Sequence, residues 1–151
     1  MKLKKYLYKK VESTNNVALR LIKQGNQSGI ILTDQQTKGK GQRKNNWISI
    51  KGNLFLSVFF EISKKLSLFK IKNLNLKIIK KIINKKIKTL ILIKKPNDIL
   101  INKKKVCGIL QETIFKQNRK YLIVGIGINV SSSPEITNYP TTFLNNYSNK
   151  K

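Results

Sequence analysis

A short polar loop carries several of the residues that could do chemistry. The stretch GKGQRKNNW begins at residue 39 and combines Gly39 and Gly41 with the cations Lys40 and Arg43 and the single tryptophan, Trp47. Glycines let backbone N–H groups come close to a phosphate, and cations supply the opposing charge. An aromatic ring at the exit of the loop could cover a nucleotide base. The pattern indicates an anion-binding loop, and the alternative is a flexible basic loop.

The residue types that are absent exclude several classes of enzyme. The chain has no histidine and one cysteine, Cys107, so Ser-His and Cys-His nucleophile pairs and zinc sites of Cys and His are excluded. Cys107 lies among Val106, Ile109 and Leu110, which predicts a buried structural thiol rather than a reactive one. Catalysis must therefore use lysines, six carboxylates and backbone groups. Such groups suit chemistry on phosphates and carboxylates.

Two later segments add a polar turn, a lysine and three glycines. KKPNDILINKKKVCGILQE places the Pro-Asn-Asp turn 96–98 at a strand entry and Lys105 shortly before Gly108. VGIGIN contains Gly125 and Gly127 within a strand, unlike a dinucleotide fingerprint, which needs a third glycine opening a helix. Glycines inside strands usually mark a close backbone approach or a bulge. The alternative for the first segment is a hairpin with a turn signal at each end.

These segments need a scaffold, and apolar periodicity predicts two helices in it. After Ser13 and Thr14, apolar residues recur at helical spacing as far as Gly25, which can end the helix in a left-handed conformation. A second amphipathic helix is predicted between Leu68 and Ile87, with lysines on its other face. Its apolar stripe is expected to pack in the core and consists of Ile71, Leu74, Ile78, Ile79, Ile82 and Ile83.

Apolar and β-branched segments predict the strands of a sheet. They are GIILTD, NLFLSVFFEI, TLILIK, DILINKKKVCGILQETIF and KYLIVGIGINV, with a polar loop from Gln35 to Asn46. Turn formers at 96–98, 102–103 and 117–118 join the later strands. Short turns between consecutive strands imply antiparallel pairing. The predicted fold class is α+β, a mixed, mostly antiparallel sheet flanked by helices.

Length and charge limit the overall organisation. The 151 residues fit one domain with one core, and the polar stretch 131–151 is expected to be a loop or a fraying end. Lys plus Arg total 32 against 6 Asp plus Glu, an excess that suggests nucleic acid but that a biased genome composition would also produce. No stretch approaches the ~20 apolar residues of a membrane span, and a single cysteine fits a reducing compartment. A cytoplasmic protein outside the membrane is expected.

The order of six motifs resembles the catalytic domain of biotin protein ligases. STNN, QTKGKG…W, NLFLSVFF, KKPNDI, KKVCGILQE and GIGINV occur in that family's order and with about its spacing, from Ser13 to Val130. The resemblance implies a fold similar to the catalytic core of class II aminoacyl-tRNA synthetases and lipoate-attaching enzymes. It also implies ATP-dependent activation of biotin to biotinyl-5′-AMP and transfer to the biotin carboxyl carrier protein of acetyl-CoA carboxylase.

The resemblance also implies which residues meet biotin. Ser13, Thr14, Asn15 and Gln36 correspond to residues at the biotin ring, whose urea needs its carbonyl and N–H groups paired. Lys105 corresponds to the lysine that contacts the biotin carboxylate and the α-phosphate, and it is the expected catalytic cation. The other expected biotin contacts are Lys40, Gly41 and Gln42.

A second set corresponds to residues on the nucleotide side. Trp47 matches an aromatic near the adenine, and Asn129 matches a polar contact there. Mg²⁺ is expected to be held mainly through the phosphates, with Asp98 as a helper and no metal site built by the protein alone. The expected adenylate and ATP contacts are Gly39, Lys40, Gly41, Gln42, Arg43, Trp47, Asn97, Asp98 and Asn129, and the expected structural glycines near the ligand are Gly108, Gly125 and Gly127.

The sequence departs from the family pattern in the loop, beside the site and at the ends. Gln42 stands where the family has arginine, so we expect the adenylate to be held less well, with Arg43 as a neighbouring cation. Lys95 stands where the family has tryptophan. One catalytic domain is predicted over 1–151, without an N-terminal DNA-binding domain or a C-terminal β domain, so repressor activity is not expected.

Two other functions stay open on the sequence alone. A lipoate or octanoate attachment enzyme would share the fold and the transfer to lysine, although the Gly-Lys-Gly loop and the Pro-Asn-Asp turn favour biotin. A basic nucleic-acid-binding protein would account for the charge alone. Binding to DNA that falls steeply with salt would support the second, whereas stabilisation by biotin would indicate a ligand pocket.

Overall fold

A computed structural model describes residues 3–148 and has a seven-stranded sheet at its centre. The order across the sheet is β1-β2-β3-β7-β6-β5-β4, in which β1 and β2 are parallel and the other neighbours are antiparallel. The predicted mixed, mostly antiparallel sheet is confirmed. Its strands are β1 (Lys5–Val11), β2 (Ser28–Gln36), β3 (Leu54–Ile62), β4 (Ile91–Lys94), β5 (Asp98–Ile101), β6 (Lys104–Lys116) and β7 (Arg119–Ile128).

Two helices pack on the sheet, as predicted, and they lie on opposite faces of it. In α1 (Thr14–Lys23), Ile22 packs in a cluster with Phe59. In α2 (Leu68–Asn84), Leu76 packs in a second cluster with Ile62. Because Phe59 and Ile62 are an odd number of residues apart on β3, they point to opposite faces of the sheet. Among residues 3–148 no helix is long and apolar enough to cross a membrane.

The predicted turns join the strands and fix their register. Residues 102–103 and 117–118 all have positive φ angles, between 45° and 63°, which is the geometry of two-residue hairpins. Gly25 follows α1 with φ 101°, the left-handed conformation expected at the end of a helix. These tight connections hold β5, β6 and β7 in the alignment on which the cleft described below depends.

The structure adds one strand and lengthens another. Strand β1 was not predicted, because it is an edge strand in which lysines at 5, 9 and 10 leave only a short apolar run. The polar loop begins after Gln36 rather than at Gln35, because β2 continues through both glutamines, and Gln36 pairs with Val11 of β1. The N-terminal strand therefore supports the strand that carries Gln36.

The orientation of α2 corrects a second prediction. Leu74, Ile78 and Ile82, which were expected in the core, are 56%, 46% and 52% exposed. Ile83 is buried as predicted, Ile71 and Ile79 are partly buried against the core, and Leu76, which was outside the predicted stripe, is buried as well. Leu76 and Ile83 lie about 150° around the helix from the exposed residues, so the apolar period gives the helix but only part of the side that packs.

Residues 131–148 form a loop, as predicted, but they pack against the sheet rather than fray. The backbone N of Leu144 donates to the carbonyl of Asn129 at 3.0 Å, within a loop that ends in a 3₁₀ turn, Leu144–Asn146. Thr142 is 3% exposed. This packing brings residues 139–142 beside the start of β6, where Thr141 bridges to Lys105.

Two glycines of β7 lie where groups from other elements rest directly on the strand. A Cβ atom on Gly127 would lie 2.5 Å from the indole of Trp47, and one on Gly125 would lie 2.3 Å from Oδ1 of Asn15. Neither position admits a side chain without displacement of the neighbour. The prediction that these glycines mark a close approach is confirmed, and the approaching groups are the indole and the amide.

We expect Gly125→Ala to lower the free energy of unfolding by about 1–3 kcal/mol, because the new methyl group displaces the Asn15 amide. Urea denaturation should show a much smaller loss in an Asn15→Ala background, where the colliding group is gone, and hence a coupling of about 1 kcal/mol or more. An Asn16→Ala background retains the collision and should show the full loss. Equal losses in the unaltered chain and in the Asn15→Ala and Asn16→Ala backgrounds would contradict the proposed contact.

Candidate active site

One cleft collects most of the predicted site residues. Its volume is about 480 Å³, within the usual range for small-molecule sites. Its walls come from the start of α1, the loop 39–47, the turn 95–98 and strands β6 and β7. The predicted residues that line it are Ser13, Thr14, Asn15, Gln36, Lys40, Gly41, Gln42, Arg43, Trp47, Asn97, Asp98, Lys105, Gly108, Gly125 and Gly127. Their individual contacts with a ligand stay predictions.

A network of polar side chains forms the floor of the cleft. Oε1 of Gln36 accepts from the backbone N of Thr14 at 2.8 Å and lies 3.1 Å from its Oγ1. Oγ of Ser57 lies 2.7 Å from Oγ1 of Thr14 and 2.6 Å from Oδ1 of Asn15. Since an amide oxygen only accepts, the Ser57 hydroxyl donates to Asn15, and the Thr14 hydroxyl donates to one of its two neighbours. Ser13 precedes α1, and its hydroxyl makes no capping hydrogen bond, which leaves it for other partners.

A lysine ammonium lies in the wall of the cleft. Nζ of Lys105 is 3.0 Å from Oδ1 of Asp98, and the two side chains are 15% and 20% exposed. The contact lacks the angles of a hydrogen bond, so it is an ion pair held by charge and proximity. The ammonium also lies 5.4 Å from the ring centroid of Trp47 and 5.1 Å from that of Tyr139, which is within the range of cation–π attraction. One carboxylate and two aromatic rings therefore hold this positive charge away from water.

A β-bulge turns Lys105 into the cleft. The pairing of β5 with β6 shifts between Ile99 and Leu100, which leaves Val106 as an extra residue on β6. In a regular strand, Lys105 and Gly108 would face opposite sides because they are three residues apart. The extra residue brings them to the same side, and Cε of Lys105 lies 3.5 Å from where a Cβ atom of Gly108 would stand.

Residues 139–142 complete the wall, although no site residue is predicted within 131–151. The backbone N of Lys105 donates to the carbonyl of Pro140 at 2.9 Å, and the N of Thr142 donates to the carbonyl of Lys105 at 2.9 Å. Tyr139 lines the cleft and places its ring at the ammonium. An aromatic residue next to a proline in a polar stretch is the one signal that marks this segment.

The loop 39–47 folds as a tight turn. The backbone N of Gly41 donates to the carbonyl of Asn45 at 2.7 Å, and the N of Trp47 donates to the carbonyl of Gly39 at 2.8 Å. Residues 43–44 have φ angles of 53° and 63°, which are uncommon for residues other than glycine. The predicted anion-binding loop is thus compact and anchored at both ends.

Cations line the cleft along the loop and the turn before β5. Lys40 and Arg43 come from the loop, and Lys94 and Lys95 come from the end of β4 and the turn that follows. The two lysines at 94–95 are not among the predicted ligand contacts. Nζ of Lys40 lies 3.8 Å from Oε1 of Glu112, and both side chains are 40% exposed. An anion entering the cleft therefore meets several positive charges.

Two predicted residues, Gly39 and Asn129, lie just outside the main cleft. Asn129 and Trp47 border a small adjoining cavity of about 20 Å³. Nδ2 of Asn129 donates to the carbonyl of Thr142 at 3.1 Å, while its Oδ1 and the Nε1 of Trp47 are buried and have no hydrogen-bond partner among the described residues. Gly39 is buried beneath the loop, where a Cβ atom would stand 2.3 Å from the carbonyl oxygen of Trp47. The two unpaired groups can still accept or donate to a ligand.

Cys107 is fully buried, which confirms that it is a structural thiol. Burial raises the pKa of Cys107, and the nearby Asp98 carboxylate raises it further, while Lys105 opposes this shift. A thiol with a raised pKa is a poor nucleophile at neutral pH. Within residues 3–148, no three acidic or thiol side chains lie together as metal ligands.

Comparison with known proteins identifies related sequences. The profile of the biotin/lipoate A/B protein ligase family matches residues 7–129. The chain is 31% identical over 142 residues to biotin–protein ligase 1, chloroplastic, of Arabidopsis thaliana, which covers 90% of this chain and 37% of that protein. It is 34% identical over 132 residues to the bifunctional ligase/repressor BirA of Bacillus subtilis. This match covers 82% of this chain and 39% of that protein. The chain therefore spans about two fifths of the length of these relatives.

Solved structures show the same fold. The biotin protein ligase of Aquifex aeolicus in complex with biotin and ATP has a TM-score of 0.78 and 30% identity, over 97% of this chain and 62% of that one. The biotin protein ligase of Leishmania major in complex with biotinyl-5-AMP has a TM-score of 0.77 and 26% identity, over 97% of this chain and 65% of that one. The fold class predicted from the sequence agrees with these neighbours. Because the family profile covers most of the chain and its fold is that of these ligases, the chain belongs to the biotin/lipoate A/B protein ligase family.

Proposed function

We propose that the chain activates biotin with ATP to biotinyl-5′-AMP and transfers the biotin to a lysine of a carrier protein. The observation that carries the proposal is the Lys105 ammonium, held 3.0 Å from Asp98 in the wall of a cleft with a polar floor. The relatives named as biotin–protein ligases support it, as do the neighbours whose structures contain biotin, ATP or biotinyl-5-AMP. The proposed acceptor is the biotin carboxyl carrier protein of acetyl-CoA carboxylase, in the cytoplasm.

The polar floor suits the urea of biotin. Thr14, Asn15 and Gln36 carry hydroxyl and amide groups that are already oriented by one another and by Ser57. A buried carbonyl or N–H group that finds no partner costs about 1–3 kcal/mol, so a ligand rich in such groups needs a floor of this kind. The dithiolane ring of lipoate has no hydrogen-bond donors. The floor therefore favours biotin over lipoate, the alternative substrate with the same fold.

The nucleotide side of the cleft offers an aromatic face and unpaired polar atoms. The indole of Trp47 would lie against the adenine, and Oδ1 of Asn129 would accept a hydrogen bond from its amino group. The cations Lys40 and Arg43 would meet the phosphates. Since Asp98 is already paired with Lys105, Mg²⁺ would take most of its ligands from phosphate oxygens. We propose no specific DNA partner, because Lys40 and Arg43 of the loop would bind the phosphates of ATP.

The proposed reaction consists of two substitutions. A biotin carboxylate oxygen attacks the α-phosphorus of ATP, the acyl–phosphate bond forms, and the bond to the bridging oxygen breaks to release pyrophosphate. The neutral amine of the carrier lysine then attacks the acyl carbon, an amide forms, AMP leaves and the nitrogen loses a proton. Negative charge grows near the α-phosphate in both steps. Lys105 would stabilise it by about 4 kcal/mol at ~4 Å and an effective dielectric of 20, or roughly 10²- to 10³-fold in rate.

Calorimetric titration and thermal denaturation with ligands test the function directly. We expect biotin to bind with a stoichiometry of one, and biotin with ATP to raise the melting temperature more than biotin alone, because the adenylate contacts both sides of the cleft. Lipoate and octanoate at the same concentrations should have little effect. Binding of lipoate without binding of biotin would establish the alternative substrate, and binding of DNA alone, lost at high salt, would indicate that the charge is the functional feature.

We expect Lys105→Ala to slow biotin-dependent pyrophosphate release by about 10²- to 10³-fold. The neighbouring exposed lysine offers a matched control, since Lys104→Ala removes the same charge outside the cleft and should leave the rate within about twofold. Removing Lys105 leaves Asp98 unpaired, so Lys105→Ala with Asp98→Asn checks that any loss is not due to unfolding. Near-normal turnover of a folded Lys105→Ala protein would refute the proposed role.

The glutamine at position 42 should let the intermediate escape faster than arginine would. Gln42 lines the cleft, and a neutral amide makes a weaker hydrogen bond to phosphate than a guanidinium does. We expect Gln42→Arg to slow release of biotinyl-5′-AMP roughly tenfold in a rapid-dilution assay. Thr37→Arg adds the same charge at an exposed position before the loop, outside the cleft, and serves as the control. Equal release rates for all forms would eliminate the proposed effect.

A further inference from the structure

A carboxylate of β6 joins the floor of the cleft to the glycine loop. Oε2 of Glu112 accepts from Nδ2 of Asn15 at 2.7 Å. Its other oxygen, Oε1, lies 3.8 Å from Nζ of Lys40. Glu112 does not itself line the cleft, so it acts on the two residues that do.

The carboxylate decides which way the Asn15 amide faces. Asn15 is 3% exposed and lies so close to Gly125 that a Cβ atom there would collide with its Oδ1. An ionised carboxylate can only accept, so the NH₂ group must face Glu112 and the amide oxygen must face the hydroxyl of Ser57, 2.6 Å away. One N–H and one lone pair of the amide are left for a ligand. Without Glu112, the rotated amide would present these groups in exchanged positions.

We propose that Glu112 is a positioning residue that sets the hydrogen-bonding polarity of Asn15 and tethers Lys40 at the edge of the cleft. The identity of the ligand rests on the function proposed above, whereas the two contacts do not. The short contact to the buried amide is held in place, but the 3.8 Å contact between two half-exposed groups is weak. An arriving phosphate would draw Lys40 away and leave Asn15 in place. Glu112 thus connects Lys40 of the loop to the amide of Asn15 in the floor.

Two substitutions separate these roles. Glu112→Gln keeps an oxygen that can accept from Asn15 and removes the charge that attracts Lys40. Glu112→Ala removes both. The matched control is Glu61→Gln, because Glu61 is a similarly exposed carboxylate of β3 whose partner, Arg119 at 3.6 Å, lies outside the cleft.

The first measurement is biotin affinity by calorimetry on proteins with matched melting temperatures. We expect Glu112→Ala to raise the Kd about tenfold, as one misaligned polar contact would, while Glu112→Gln and Glu61→Gln stay within about threefold. In steady-state assays KM for biotin should rise for Glu112→Ala with little change in kcat, because ground-state and transition-state binding weaken together. Unchanged affinity in Glu112→Ala, or equal losses in both Glu112 variants, would overturn the polarity assignment.

The second measurement needs no ligand and so stands apart from the proposed function. Hydrogen exchange at the amides of Gly41 and Trp47, which hold the loop turn, should be severalfold faster in both Glu112 variants than in Glu61→Gln, because the tether to Lys40 is gone. Equal exchange in all proteins would overturn the tether. If the unaltered chain fails to bind biotin, the proposed function fails, and the exchange data still decide whether Glu112 holds the loop.

Discussion

A lysine ammonium withdrawn from water organises the cleft. Lys105 is 15% exposed, and such a charge is costly unless groups of opposite sign compensate for its lost hydration. Asp98 does so at 3.0 Å, and the rings of Trp47 and Tyr139 add their π-faces. The start of β5, the bulged start of β6, the loop 39–47 and residues 139–142 must therefore meet around one nitrogen atom. The shape of the cleft follows from the need to satisfy that charge.

The register of the central strands explains how these parts meet. Gly127 pairs with Gly108, which in turn pairs with Asp98, so a row without side chains leads to the carboxylate. The indole of Trp47 lies on this row and reaches the ammonium. Glycine inside a strand loses entropy and packing, but here the bare backbone admits a large ring whose burial offsets that loss. Two residues earlier on β7, Gly125 likewise leaves space for the Asn15 amide.

The parts that could be predicted from the sequence are those with local signals. Helix α1, the hairpins at 102–103 and 117–118 and the close approach at Gly125 each follow from residue types within a few positions. The bulge at Val106 and the placement of Tyr139 depend on pairing between distant segments, so no local pattern marks them. The same holds for Ser57 and Glu112, since a polar residue in a strand is ordinarily read as solvent-facing. Local patterns therefore marked most of the residues that line the cleft, whereas Tyr139, Ser57 and Glu112 are recognised only from the tertiary packing.

The Lys105–Asp98 pair also determines where a ligand's charge must lie. An anion about 4 Å from the ammonium and about 7 Å from the carboxylate gains about 4 kcal/mol from the first and loses about 2.4 kcal/mol to the second at an effective dielectric of 20. If the two distances were equal, the terms would cancel. The pair thus stabilises only a negative charge that lies on the lysine side, away from Asp98. A free phosphate can settle at any of the cations along the cleft, but a ligand anchored on the floor by Asn15 has its acidic end directed to one place. Under the proposed function, the floor and the ion pair therefore act together. Hydrogen bonds at one end of the ligand determine the position at which the charge at its other end is stabilised.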